Sequence, residues 1–122
     1  LQLAPDAAVI RITRVRSLAG RPAIFERIVL PAALFPGLDA KRDLPNTLYT
    51  LFARDYGITI GRAEERLSAG AAGAEAARHL ALERDAPLLA IDRTALALNN
   101  HPVEWRLSLC DTRDQVYSVT LA

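Results

Sequence analysis

At 122 residues the chain has the size of one domain and leaves no room for a second, so residues 1–122 are read as a single unit. Hydrophobic residues at 51% and charged residues at 24% exclude a disordered chain, while aromatics at only 6% call for a core of Leu, Ile and Val with alanine between them. Fifteen basic against fourteen acidic residues leave a net charge of +1, which argues against a duplex-binding surface.

Cys110 is the single cysteine, so no internal disulfide can form, and no Cys/His spacing suggests zinc. A reducing, cytoplasmic setting is expected. No apolar run approaches the ~20 residues that cross a bilayer, and the N-terminus lacks a signal pattern. The sequence begins at Leu1 and contains no Met, so a missing upstream segment is expected.

Residues 8–18 (AVIRITRVRSL) alternate in polarity and are rich in β-branched side chains, which predicts a strand. Ala19-Gly20-Arg21 supply a turn, and residues 22–30 (PAIFERIVL) return as a second strand that Pro31 ends by withdrawing a ladder donor. Residues 31–45, with Pro31, Pro36 and Pro45 and a Pro36-Gly37 turn signal, should be loop with one helical turn. Asn46 before TLYTLFARDY, with Gly57 after it, has the form of an N-cap, an amphipathic helix and a C′ glycine. Leu48, Leu51, Phe52 and Tyr56 fall on its apolar stripe. Residues 58–67 suit a strand, 71–82 an alanine-rich helix, 87–98 and 102–110 a hairpin around Asn99-Asn100, and 115–121 a last strand. The order β-β-α-β-α-β-β-β predicts an α+β fold in which helices lie to one side of an antiparallel sheet.

An internal repeat runs through this order. Leu1-Gln2-Leu3, Asp6-Ala7, Val9, Ile12 and Arg14 match Leu80-Ala81-Leu82, Asp85-Ala86, Leu88, Ile91 and Arg93 at an offset of 79. Pro22 and Phe25 match Pro102 and Trp105 at an offset of 80. Two related hairpin halves are expected, with Leu1–Leu3 in the last turn of a helix; chance similarity of two apolar hairpins is the alternative.

Strand parity then singles out charges, because alternate residues share a face. Arg14 and Arg16 are in line with Ile10 and Ile12, and Glu26 with Ile24, Ile28 and Leu30. An ionised group on an apolar face needs a partner. A three-residue turn centred on Gly20 would set Arg14 opposite Glu26 and Arg16 opposite Ile24, leaving Arg16 to find another anion. These charges suit either a structural ion pair at a sheet edge or an anion pocket, since guanidinium forks bind carboxylate or phosphate through paired hydrogen bonds.

Weaker candidates are Thr47 and Tyr49, in the first turn of the Asn46 helix, where free N–H groups favour an anion. Glu75 and His79 read as a surface pair, Arg62, Glu64, Glu65 and Arg66 as a solvated strand face, His101 as solvated and Cys110 as a buried structural thiol. No nucleophile elbow, P-loop, dinucleotide fingerprint or metal-ligand cluster is visible, so no catalytic residue, cofactor or metal is expected.

The series R-x-R (Arg14, Arg16), Pro22 with Glu26, LPAALFPG (Leu30–Gly37), Thr47-Leu48-Tyr49, YGI (Tyr56–Ile58), RAEE (Arg62–Glu65), Pro87–Arg93 and PVEW (Pro102–Trp105) resembles the UTRA domain, the effector-binding domain of HutC-type GntR transcription regulators. The resemblance runs from about Ala8 to Leu121. It implies a chorismate-lyase-like fold and an N-terminal winged helix-turn-helix absent from this chain. It also implies that Arg14, Arg16, Glu26, Thr47 and Glu104 surround the effector, with Tyr49 nearby. Thr47 stands where Ser is usual, and Cys110 and Asp111 where many members have aromatic and basic residues.

A homodimeric sensor is therefore expected. It would bind a small anionic effector (a phosphosugar or a carboxylate) and touch DNA only through the missing domain, with no membrane partner. An enzyme of the same fold acting on a carboxylated substrate is the alternative, and an interaction module without a ligand a third. Glu26 and Glu104 are expected in one pocket. Glu104 is nevertheless out of line with Val103, Trp105 and Leu107, which calls for a bulge.

Overall fold

The computed structural model of the chain describes residues 3–121. Five strands, β1 (Val9–Leu18), β2 (Arg21–Pro31), β3 (Ile60–Ala71), β4 (Pro87–Ala97) and β5 (Pro102–Cys110), form one sheet in the order β1-β2-β5-β4-β3. Every neighbouring pair is antiparallel. Two helices, α1 (Leu48–Tyr56) and α2 (Gly73–Leu80), complete the fold. No described helix is long and apolar enough to cross a membrane.

The first hairpin carries Ala19 at φ 51° and Gly20 at φ 76°. Two consecutive positive φ values make a two-residue turn whose twist matches that of the strands. Arg14 faces Glu26 and Arg16 faces Ile24, as a turn centred on Gly20 requires, but Ser17 then faces Pro22 and Leu18 faces Arg21. The expected three-residue turn is thus a two-residue turn plus a bulge at Ala23, which keeps the same register beyond it.

Alternation on β2 explains why two helices are needed. Ile28 and Leu30 point to one face and join Ile10, Val103 and the α1 residues Leu48, Leu51 and Phe52. Phe25 points to the other face, against Ala76, Ala77 and Leu80 of α2 and Leu88 of β4. The helices therefore cover opposite faces rather than one side, because β2 is apolar on both.

Other boundaries shift for identifiable reasons. β3 runs on to Ala71 because its ladder with β4 continues to Ala71↔Pro87, and cross-strand pairing overrides the poor strand propensity of Ala and Gly. The N–H groups of Ala72 and Gly73 are then taken by the carbonyls of Ala86 and Arg84, so α2 starts at Gly73. Two short 3-10 turns, Ala32–Leu34 and Leu38–Ala40, stand in place of one helical turn. The α1 N-cap is Thr47, not Asn46, and no side chain caps it; Gly57 ends the helix at φ 65° as expected.

The expected last strand is absent, and residues 112–121 are irregular. Both sides of β5 are already occupied by β2 and β4. The Asp111 carboxylate takes the Arg113 N–H at 3.2 Å, and the Gln115 amide donates to the Asp111 carbonyl at 2.6 Å, which turns the chain off the ladder. The predicted helical turn at Leu1–Leu3 falls mainly outside the described residues, and Leu3 itself is irregular.

The repeat is present in the sheet. Hairpins β1–β2 and β4–β5 flank the β2–β5 pairing symmetrically. The cross-strand pair Arg14↔Glu26 is matched, at the two repeat offsets, by Arg93↔Arg106.

Candidate functional site

The sheet face that carries α1 is apolar under the helix and charged beside it. Its floor is laid by register: Ile28, Arg106, Arg93 and Glu65 lie across β2, β5, β4 and β3, and the next row holds Arg14, Glu26, Ser108, Ile91 and Leu67. The charges form one connected network. Glu26, with 1% of its side chain exposed, faces three guanidinium groups: Arg14 at 3.5 Å, Arg16 at 3.4 Å and Arg106 at 3.4 Å. Arg106 also reaches Glu104 at 2.9 Å. The Tyr49 hydroxyl of α1 donates to Glu104 Oε1 at 2.9 Å and accepts from Arg93 Nη1 at 3.3 Å. Arg93 donates through Nε to Glu65 at 2.8 Å, and the Tyr117 hydroxyl donates to the same carboxylate.

A bulge brings Glu104 into this set. Ala95 pairs with Glu104 but Leu96 with Pro102, leaving Val103 unpaired and turned into the α1 core. Trp105 and Leu107 face the opposite side, where the Trp105 indole donates to Asp92 at 2.8 Å. The apolar parity of β5 therefore belongs to the other face, and Glu104 shares its face with Arg106, Ser108 and Cys110.

Burial and charge set the protonation of the network. Burial is the largest influence on the Tyr49 hydroxyl and, with the Glu104 carboxylate, raises its pKa, so it remains a donor at neutral pH. Burial opposes the charge of Arg93, but hydrogen bonds with Tyr49 and Glu65 outweigh it and raise the pKa. Burial likewise opposes the Glu65 charge, and the bonds from Tyr117 and Arg93 outweigh it and lower the pKa. Burial lowers the Arg14 pKa against the pull of Glu26. Arg14, Arg16, Arg93 and Arg106 outnumber Glu26, Glu65 and Glu104 by four to three, so the network carries one positive charge in excess.

Four buried atoms of this network, Arg14 Nε and Nη2, Glu26 Oε2 and Arg106 Nε, have no hydrogen-bond partner. The start of α1 lies against them, because Arg14 Nη1 donates to the Pro45 carbonyl at 3.4 Å. Of the residues expected in the site, Arg14, Arg16, Glu26, Tyr49 and Glu104 are thus brought together. Thr47 stands exposed at the N-cap, and its side chain makes no hydrogen bond with the network. The expectation that Arg16 must find a second anion is corrected: Glu26 serves Arg14 and Arg16 together.

Sequence reasoning missed Arg93, Arg106 and Glu65. The repeat held the signal, since Arg93 and Arg106 are the counterparts of Arg14 and Glu26. Glu65 sits opposite Arg93 and is only half-buried rather than part of a solvated charge face. Glu75 pairs with Arg27 rather than His79, and the His79 ring stacks on Phe25 at 4.8 Å. Among the described residues no cluster of His, Cys, Asp or Glu is placed to hold a metal ion.

The sequence model of the UTRA domain matches residues 1–114. The chain belongs to the UTRA domain family. This UTRA domain is 24% identical over 119 residues to YurK of Bacillus subtilis strain 168, an uncharacterized HTH-type transcriptional regulator, covering 98% of this chain and 49% of YurK. It therefore spans about half the length of that relative. Among solved structures, the ligand-binding domain of a protein assigned to the GntR family of transcriptional regulators, from Bordetella bronchiseptica, is 32% identical with a TM-score of 0.90 over 100% of this chain and 78% of that one. PhnF of Mycobacterium smegmatis is 24% identical with a TM-score of 0.87, over 93% of this chain and 50% of that one. The five-stranded antiparallel sheet with its two helices is the chorismate-lyase-like arrangement of the UTRA domain. Residues 115–121 lie beyond the matched stretch.

Proposed function

We propose that this UTRA domain is the small-molecule sensor of a GntR-type transcription regulator. It binds an anionic effector beside the start of α1, through Arg14 and Arg16 with Glu26, Tyr49 and Glu104 around them and the Thr47 hydroxyl at the helix start. Arg93 and Arg106 complete the basic wall. The observation that carries this reading is the buried network with one guanidinium in excess and with nitrogens on Arg14 and Arg106 that make no hydrogen bond. Unpartnered buried donors are costly, and an incoming anion satisfies them and balances the charge together.

The regulator acts as a homodimer whose DNA contacts come from an N-terminal winged-helix domain, in keeping with the HTH-type relative of twice this length. Effector binding shifts the populations of two dimer geometries that differ in their fit to DNA. Relatives that are transcriptional regulators favour this reading over an enzyme of the same fold.

A thermal-shift screen of the domain against phosphosugars, aromatic acids and amino-acid catabolites tests it, followed by titration of each hit into Arg14→Gln and Arg16→Ala variants. Hits that bind a folded Arg16→Ala domain with unchanged affinity place the effector elsewhere.

A further inference from the structure

Beside the charged network the same sheet face turns apolar. The row below Arg14 and Glu26 holds Arg16, Ile24, Cys110, Leu89 and Ala69 in register across the five strands. Ile24 lies two residues from Glu26 on the same face, about 7 Å along the strand. Residues 112–117 cross this half of the sheet as a strap. Asp111 and Gln115 fold its start, and the Tyr117 hydroxyl latches it to Glu65. Between strap and sheet lies a cavity of about 130 Å³, walled by Ile24, Leu89, Ile91 and Cys110 below and by Thr112, Gln115, Val116 and Tyr117 above. Burial, with Glu26 nearby, pushes the Cys110 thiol up to about 11, so it stays neutral and behaves as a small apolar group.

We infer that the effector is a carboxylate with a small apolar body, an aryl or short alkyl group, whose head meets the Arg14 and Arg16 guanidiniums and whose body lies under the strap. This rests on the sensor reading above and narrows its ligand class. Three observations converge on it. The Arg14 Nε and Nη2 edge, the fork that fits a carboxylate, makes no hydrogen bond, and its Nη2 meets Glu26 Oε2 only as an ion pair at 3.5 Å. The single excess positive charge is balanced by a monoanion, whereas a phosphate monoester dianion overshoots it beside two buried glutamates. The sheet side of the cavity is apolar, and sugar hydroxyls placed against it lose hydrogen bonds to water without replacement, Thr112 and Gln115 being polar residues on the strap side. The volume, somewhat below the about 150 Å³ of an apolar cavity that admits benzene, sets the size of that body at a short alkyl chain or a single ring.

The test is a homologous series titrated calorimetrically into the domain: acetate, butanoate, hexanoate and 3-phenylpropionate, with inorganic phosphate and glucose 6-phosphate beside them. Affinity should rise about three- to fourfold per methylene from butanoate to hexanoate, the yield of burying a CH₂ group. Ile91→Asn should flatten that series while Arg16→Ala weakens every member equally; Cys110→Ser, nearly isosteric, serves where Ile91→Asn does not fold. A flat series in the unsubstituted domain overturns the inference. Glucose 6-phosphate binding more tightly than every carboxylate also overturns it, and leaves the sensor reading standing. Failure of every anion to bind removes both.

Discussion

Arg106 and Glu104 stand two residues apart on one face of β5, with Nη2 2.9 Å from Oε2, and both are buried. The other guanidinium nitrogen, Nη1, reaches Glu26 on β2 at 3.4 Å, so one side chain ties two inaccessible carboxylates on neighbouring strands. Removing it leaves Glu104 with Tyr49 as its one remaining side-chain partner. Arg106→Met should therefore cost about 3–5 kcal/mol of stability, the range for breaking a buried ion pair from one side. Pairing it with Glu104→Gln should recover much of the loss. Urea denaturation of the single and double variants gives the comparison, and equal stability of Arg106→Met and the parent would show that the carboxylates are satisfied elsewhere.

The end of α2 offers a gain instead. Ala81 closes the helix at φ 56°, donating its N–H to the Ala77 carbonyl, in a conformation that costs an L-residue roughly 1–2 kcal/mol. Glycine adopts it without that strain. Ala81→Gly should raise stability by about 0.5–1 kcal/mol after its larger unfolded-state entropy is set against the relief. Chemical denaturation showing a loss would mean that the helix end is not strained.

The legible parts of this fold were those fixed by local chemistry. Alternation across residues 8–30, the glycine after Tyr56 and the Asn99-Asn100 turn all act within a few residues, and parity with a turn centred on Gly20 set Arg14 opposite Glu26, a register that the two-residue turn and its bulge preserve. The misreadings are tertiary. The 115–121 segment has strand composition, but β5 has no free edge to receive it. β3 lengthens into Ala-Gly sequence because β4 supplies a partner. The partnership of Arg93 and Arg106 with Glu65, Glu26 and Glu104 depends on β2 and β5 becoming neighbours, which no local pattern states. Only the repeat carried that information, through the equivalence of Arg14 with Arg93 and of Glu26 with Arg106.

Asp111 gives a pH dependence whose sign follows from its partners. Its carboxylate, 1% exposed, accepts from Arg113 at 2.8 Å and lies 3.6 Å from Arg21. The Arg113 hydrogen bond is the main cause that holds its pKa below the ordinary carboxylate range, against burial, which works to raise it. A depressed folded pKa means that the stabilisation is fully present above the unfolded value of about 4 and is lost as pH falls through the folded one. Asp111→Asn should therefore lower the melting temperature at pH 7 and narrow the gap from the parent below about pH 4. A gap that stays constant across this range would assign the loss to packing rather than to ionisation.

Arg16 separates binding from folding. Glu26 keeps Arg14 at 3.5 Å and Arg106 at 3.4 Å when Arg16 is removed, and the Arg16 side chain is 38% exposed. With two guanidiniums left to Glu26 and the Arg16 end partly in solvent, the loss should stay near the about 1 kcal/mol upper range of exposed pairs, so Arg16→Ala should melt close to the parent. The effector gives the opposite expectation. Once bound, its anionic group and Arg16 share a desolvated site, and truncating one member of such a pair costs about 2–5 kcal/mol of binding. Circular dichroism melts and calorimetry on the same preparation measure the two effects independently. A large drop in melting temperature with little change in affinity would make Arg16 a structural partner of Glu26 and move the anion site toward Arg14, Arg93 and Arg106.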